Sequence, residues 1–170
     1  MSRVLAAVLV MSAACGSTGG GTPTTEPAAT TSLPATTTTT LSEQARCALF
    51  VDGLTDPLST TVQSLVEFER LATEATTTFD LNPIADDMNV LAATMRRVER
   101  QLLDMDPPPQ LIDTHELVIE AVTKLHTGFD MAASGARQER TDLVNAATAE
   151  IQAGTALVVA ARESVPEGGC

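Results

Sequence analysis

The stretch Ile84–Met105, IADDMNVLAATMRRVERQLLDM, decides how this chain folds. Ile84, Met88, Leu91, Met95, Val98, Leu102 and Met105 alternate steps of four and three residues without a miss. That spacing places every one of them on a single helical stripe close to the period of about 3.5 residues used by packed helices. Arg96, Arg97, Glu99 and Arg100 fall on the other faces, which suits solvent. Asp106-Pro107-Pro108-Pro109 stops the helix, because a residue before proline avoids the α region.

Working outward, the same spacing recurs on both sides. Downstream, a helix from Gln110 carries Leu111, His115, Val118, Val122, Leu125, Phe129 and Ala132, with Gly135 as its expected end. Another helix from Glu139 to Ser164 carries Val144, Ala147, Ile151, Gly154, Val158, Ala161 and Val165, and its small residues permit close approach. Upstream, Asp80-Leu81-Asn82-Pro83 reads as a turn. Before it, Leu58, Val62, Leu65, Phe68, Ala72, Ala75 and Phe79 form a stripe that begins at Pro57, a residue suited to a helix's first turn. Glu43–Val51, capped by Ser42, reads as a short separate helix, broken from the next by Gly53-Leu54-Thr55-Asp56-Pro57. No stretch alternates with period two over strand length. The expected fold is therefore all-α: an antiparallel up-down four-helix bundle with a short extra N-terminal helix. With an even number of helices, the first and last residues of residues 43–170 should lie at the same end.

Ahead of this domain, Gly16–Ser42 consists of Gly, Thr, Pro, Ala and Ser with Glu26 as its one charge. Nothing there buries enough apolar surface to offset an ordering cost of roughly 1–2 kcal/mol per residue. A disordered Thr/Pro linker is expected, able to span roughly 80 Å at about 3.1 Å per residue. Ahead of the linker stands Met1–Gly16, MSRVLAAVLVMSAACG. Arg3 supplies a positive start, Val4–Met11 is a short apolar run, and Ser12-Ala13-Ala14 are small. This is the make-up of a secretory signal peptide over residues 1–14. Ala13-Ala14-Cys15 resembles the lipobox of bacterial lipoproteins, with Ser12 standing where that family has an aliphatic residue. The resemblance implies a diacylated Cys15 as the new chain start, with residues 15–42 as lipidated cysteine and linker. Ser12-Ala13-Ala14 also reads as an ordinary cleavage site that would release a soluble protein.

The chain has 170 residues, a formal charge of −12, no Trp, no Tyr and four Phe. Such a surface repels phosphate backbones and offers no stacking platform beyond phenylalanine, so nucleic-acid binding is not expected. Sugar binding and adhesion to an anionic bilayer are disfavoured on the same grounds. The cysteines are Cys15, Cys47 and Cys170. If Cys15 carries lipid, an even pair remains, and in an exported chain Cys47 and Cys170 read as one disulfide. On the chain-entropy model a loop of that length gains about 4–5 kcal/mol.

The residues able to carry chemistry are few. His115 lies on an apolar stripe, and His126, eleven residues on, shares roughly that face. With Met88 and Met95 these histidines form a possible ligand set for haem or metal. Their separation, about 16 Å along a helix axis, prevents the two histidines from sharing one ion. The Glu-x-x-His pairs of bundle metal sites are missing, as are C-x-x-C-H, a calcium loop, G-x-S-x-G, a P-loop and G-x-G-x-x-G. No enzyme activity, cofactor or resident metal is expected.

The run Leu102-Leu103-Asp104-Met105-Asp106-Pro107-Pro108-Pro109, followed by Leu111 and His115, is similar to exported helical lipoproteins of high-GC Gram-positive bacteria. Those families mostly lack an assigned activity, so the resemblance implies a helical fold and no functional residue. The expected protein is a membrane-anchored extracytoplasmic lipoprotein, held by lipid on Cys15, whose helical domain meets a protein partner or serves envelope structure. The alternative is a helical carrier of a small ligand, haem or metal through His115, His126 and the methionine stripe.

Overall fold

The structure, a computed structural model, describes residues 41–77 and 81–165. Among these the chain forms four helices and no strand: α1 (Glu43–Ala75), α2 (Asn82–Leu103), α3 (Ile112–Gln138) and α4 (Thr141–Ser164). A 3-10 turn, Pro109–Leu111, leads into α3. The signal and linker readings over residues 1–40, including Cys15, lie outside the described residues, as do Phe79 and Cys170.

The stripe that opened the reading is the one buried most completely. Ile84, Met88, Leu91, Met95, Val98 and Leu102 are all buried on α2, with Ala85 and Ala92 beside them. Pro83 stands in the first turn, where its missing N–H has no intrahelical partner to lose. Met105 falls past the helix and is half-buried against the core.

The short N-terminal helix is not a separate element. α1 continues through Pro57 as one helix of 33 residues. Its buried positions, Cys47, Phe50, Leu54, Pro57, Thr61, Ser64 and Leu71, keep one heptad-like register across the expected break. An interior proline costs about 3 kcal/mol, because it lacks a donor and crowds the carbonyl four residues back. Here that carbonyl belongs to Gly53, an exposed residue, and Pro57 itself is buried in the seam, so its ring takes the place of an apolar side chain. Keeping Phe50, Leu54 and Leu71 on one face outweighs the local penalty. One consequence is that the α1 seam is rotated from the expected one. Leu58, Leu65, Phe68 and Ala75 are only partly buried against the core, Val62 is half-buried and Ala72 is exposed.

α3 is buried on two faces. Leu111, just before it, and His115, Val118, Val122, Leu125 and Phe129 follow the expected stripe, while Thr114, Ala121, Gly128, Ala133 and Gly135 form a second. Ala132 is only partly buried. Gly135 does not end the helix, which runs on to Gln138. The end is made by Glu139, in the left-handed conformation at φ 53°, with Arg140 N–H donating to Gly135 O at 2.9 Å and Glu139 N–H to Ala136 O at 3.4 Å. This is a Schellman closure with glutamate where glycine is usual. Gly135 is needed for another reason: a Cβ there would stand 2.9 Å from Val144 Cγ2 and 3.1 Å from Val144 N.

α4 buries Ala147, Ile151, Gly154 and Ala161. Val144, expected in its seam, is 40% exposed, and Val158 is half-buried. Among the described residues α4 is the one helix long and apolar enough, by length and composition, to cross a membrane. It lies along α3, with only 17% of its most apolar window buried.

Contacts between elements place their ends. Asp86 at the start of α2 meets Arg137 at the end of α3, Arg96 meets Asp130, and Leu102 meets His115, so α2 and α3 run in opposite directions. The first turns of α1 lie by the end of α2, through Arg46 and Asp106 at 3.1 Å, while Arg70 nears Asp87 at 4.0 Å. Ser164, the last residue of α4, pairs with Thr114 in the first turn of α3 at 2.7 Å.

Candidate functional site

His115 is positioned by the proline turn. After α2 ends at Leu103, the run through Pro107, Pro108 and Pro109 reverses the chain and the 3-10 turn starts α3. This sets His115, 7% exposed, against the last turn of α2. Its Nε2 lies 2.8 Å from the carbonyl oxygen of Leu102. A carbonyl only accepts, so the His115 Nε2–H donates this bond. Leu102 O is one of the final carbonyls that a helix leaves without an i+4 partner. It also accepts from Met105 N–H at 3.0 Å. The His115 ring meets Phe50 of α1 edge-on, with centroids 5.4 Å apart and planes at 77°. One imidazole thus joins the end of α2, the start of α3 and the first turns of α1.

His126 lies apart from it, between α2 and α3. Its Nε2 is 3.4 Å from Glu99 Oε2, and its side chain is 19% exposed. The other oxygen of Glu99 accepts from Thr123 Oγ at 2.6 Å, and Thr123 Oγ lies 2.9 Å from Ile119 O. His126 Nδ1 is buried with no hydrogen-bond partner among the described residues. This Glu99–Thr123–His126 cluster was not visible as a motif, since its members lie 24 and 27 residues apart. The antiparallel register of α2 against α3, set by pairs such as Arg96–Asp130, is the signal that brings it together.

The other two members of the expected ligand set are core residues. Met88 is 4% exposed and Met95 is fully buried, both on the α2 seam. Met88 lies fourteen residues before Leu102, about 21 Å along the axis from the level of His115. The structure therefore does not gather His115, His126, Met88 and Met95 into one site. Among the described residues no three His, Cys, Asp or Glu side chains are grouped to hold a metal ion. Cys47 is 1% exposed on α1, one turn before Phe50.

A shallow open depression of about 270 Å³ lies between the first turns of α1 and the end of α2. Arg46, Leu49, Phe50, Met105 and Asp106 line it, and the Arg46–Asp106 ion pair crosses its rim. It holds no nucleophile and no general base within a triad-like set, and both charged groups are already paired.

The acidic surface is organised by a few arginines. Arg70 takes Glu67 and Glu74 at 2.7 Å each on the outer face of α1. Its guanidinium donates to Glu67 and holds that carboxyl below the ordinary range, and the two carboxylates in turn raise Arg70. Arg140 does the same to Asp142 at the start of α4. Comparison with protein-family models, with curated proteins and with solved structures yields no match.

Proposed function

We propose that this protein is an extracytoplasmic lipoprotein, anchored to the cell membrane through lipid on Cys15, whose folded part is a non-catalytic interaction or envelope-structural module. In this reading the four helices form an up-and-down bundle at the end of the Gly16–Ser42 linker, closed by a Cys47–Cys170 disulfide. The observation that carries it is the engagement of His115. The best candidate for chemistry in the sequence is committed to the Leu102 carbonyl and to the edge of Phe50, both structural contacts. The carrier reading loses its methionines to the core, and among the described residues no three His, Cys, Asp or Glu side chains group around His115 to share an ion.

Three further features support the bundle and anchor. The start of α1 adjoins the end of α2, and the end of α4 adjoins the start of α3, which is the pattern of alternating helices. The linker enters at α1, so an anchored chain holds the body by that end. A net charge of −12 keeps such bodies apart and soluble outside the cell.

The test is the mass of the mature N-terminus, together with fractionation of cells and crosslinking on intact envelope. A diacylglyceryl mass on Cys15, recovery in the membrane fraction and one reproducible crosslinked protein are the expected results. An unacylated chain start in the culture medium overturns the anchor. Retention of haem, copper or zinc by the purified chain after reconstitution overturns the non-catalytic interaction reading in favour of the carrier.

A further inference from the structure

We infer that the outer face of α2 is a self-association surface, on which a second copy of this chain docks antiparallel with its Asp86 and Asp87 against Arg97 and Arg100. The contact uses neither lipid nor cysteine, so it stands independently of the anchor proposed above.

The face follows from spacing. Asp86, Val90, Ala93, Arg97 and Arg100 alternate steps of four and three residues on the side of α2 opposite its buried seam. All five are exposed, Val90 by 63%. The row spans about 21 Å along the axis. Its charge is divided between its ends. Arg46, Arg70, Arg96, Lys124, Arg137 and Arg140 each bind a carboxylate. Arg97 and Arg100 bind none among the described residues. The chain holds 22 acidic and 10 basic residues, so acid is abundant, yet two cations one turn apart are left without it. At the other end of the row acid is in excess. Arg70 is shared by Glu67, Glu74 and Asp87, the last at 4.0 Å. Asp86 and Asp87 stay exposed, and a carboxylate has lone pairs enough for a second donor.

A face that is acidic at one end, basic at the other and apolar between them is complementary to itself when turned end for end. A two-fold axis level with Ala92 and Ala93 sets Arg97 level with the second copy's Met88, and Arg100 level with its Ala85. Each guanidinium then lies within about 3 Å, measured along the axis, of the second copy's Asp86 and Asp87. Val90 falls beside the second copy's Thr94. The two Ala93 side chains meet at the axis, small enough to let the helices close to about 8–9 Å. Asp104 falls level with the second copy's Leu81, at the start of its helix, where the dipole favours a carboxylate. Each copy carries a net charge of −12, so repulsion opposes other contacts and selects this register. One helix face of this length covers less than the roughly 800 Å² per partner of a standard interface. A weak dimer is therefore expected, with Kd between about 10 μM and about 1 mM.

Sedimentation velocity of the purified full chain, with disulfide-linked copies removed by gel filtration, provides the test. Raising salt from about 50 mM to about 500 mM should weaken the dimer about tenfold. The double variant Arg97→Glu, Arg100→Glu should be folded and monomeric, since neither arginine binds a carboxylate within its own chain. The double variant Asp86→Arg, Asp87→Arg should also be monomeric. Mixed in equal amounts, the two variants should associate, because each then meets the opposite charge at both ends of the row. If the aspartate variant fails to fold, the arginine variant and the salt dependence decide. A parent chain that stays monomeric up to about 1 mM overturns the inference. So does a dimer unchanged by the arginine substitutions, a mixture of folded variants that stays monomeric, or a dimer strengthened by salt, as association through the apolar α4 would be. Failure of the anchor is read separately, by fractionation.

Discussion

Gly154 on α4 lies against the carbonyl oxygen of Ala121 on α3 so closely that a Cβ on the glycine would stand 2.9 Å from it. The same Cβ would be 2.9 Å from Leu125 Cγ. Across the interface Gly128 of α3 answers: a Cβ there would be 2.5 Å from Ile151 Cγ1 and 3.1 Å from Ala147 O. The two helices meet backbone to backbone at a pair of glycines. This explains how α4, apolar and yet poorly buried, is held: dispersion contacts at short range replace the wide apolar face that larger side chains would supply.

Gly154→Ala should therefore destabilise the protein, although alanine favours a helix over glycine by about 1 kcal/mol. Overpacking against a backbone oxygen costs about 1–3 kcal/mol, so a net loss of about 1–2 kcal/mol is expected in urea unfolding. Gly53→Ala is the control. Its Cβ would meet only Met105 Cε, the end of a flexible side chain, at 3.1 Å. That variant should be neutral or more stable by up to about 1 kcal/mol.

The bond between His115 and Leu102 O predicts a graded series. His115→Phe keeps the ring and its edge contact with Phe50 but removes the donor. Leu102 O retains Met105 N–H, so the expected loss is about 1 kcal/mol. His115→Ala also opens a cavity and should lose about 3 kcal/mol. Nitrogen-15 NMR of the imidazole should report the Nε2–H tautomer. The Nδ1–H tautomer would mean that the ring does not close α2.

How much of this could be read from the chain alone depends on what surrounds each helix. On α2, every expected seam residue from Ile84 to Leu102 is buried, because an apolar stripe with charges on the other faces has one way to pack. On α1 the local signal and the global one conflict. Pro57 carries a genuine local penalty and was read as a boundary, yet the register of Cys47, Phe50 and Leu54 continues past it. Periodicity weighs apolar residues and so chose Leu58, Val62 and Leu65 over Pro57, Thr61 and Ser64. On α3, Gly135 looked like a stop because glycine so often closes a helix, whereas here it makes room for Val144. His115 was conspicuous in sequence, but its partner lies across the proline turn. The contact between Glu99 and His126 depends on helix register, which no spacing within one helix encodes.

Glu139 holds the left-handed position that closes α3, at φ 53°. For a residue with a Cβ this conformation costs about 1–2 kcal/mol, and glycine escapes that cost. Among the described residues the glutamate side chain has no hydrogen bond or ion pair that would offset the strain. Glu139→Gly should raise stability by about 1 kcal/mol, seen as a melting temperature higher by a few degrees. A lower melting temperature would show that the Schellman closure is not the end of α3.

Acid should weaken the outer face of α1 first. Arg70 holds the Glu67 carboxyl below 4.5, its ordinary value. A group whose folded pKa is depressed contributes stability that is present above its unfolded pKa and is lost as pH falls through the folded one. The contribution is therefore complete near neutrality and fades below about pH 4.5. The pair is open to solvent, so the effect should be small and should shrink in high salt. Comparing Arg70→Gln with the parent, the gap in melting temperature should narrow as pH falls through that range. A gap that stays constant with pH would assign the role of Arg70 to packing of its stem.

Thr61 is fully buried in the middle of α1, and its hydroxyl donates to Pro57 O at 2.8 Å. Within the helix that carbonyl already serves the Thr61 backbone N–H, so the hydroxyl adds a second bond to an acceptor that does not need one. Replacing it by a methyl group removes a buried polar atom whose one hydrogen bond among the described residues is this redundant one, and leaves no partner stranded. Thr61→Val should raise stability by about 1 kcal/mol in urea unfolding, and Ser64→Ala, at the next seam position, should act in the same direction by less. The opposite sign at Thr61 would mean that its hydroxyl supports the backbone beside Pro57. In that case the proline, rather than the weak packing around it, limits the hold of α1 on the other helices.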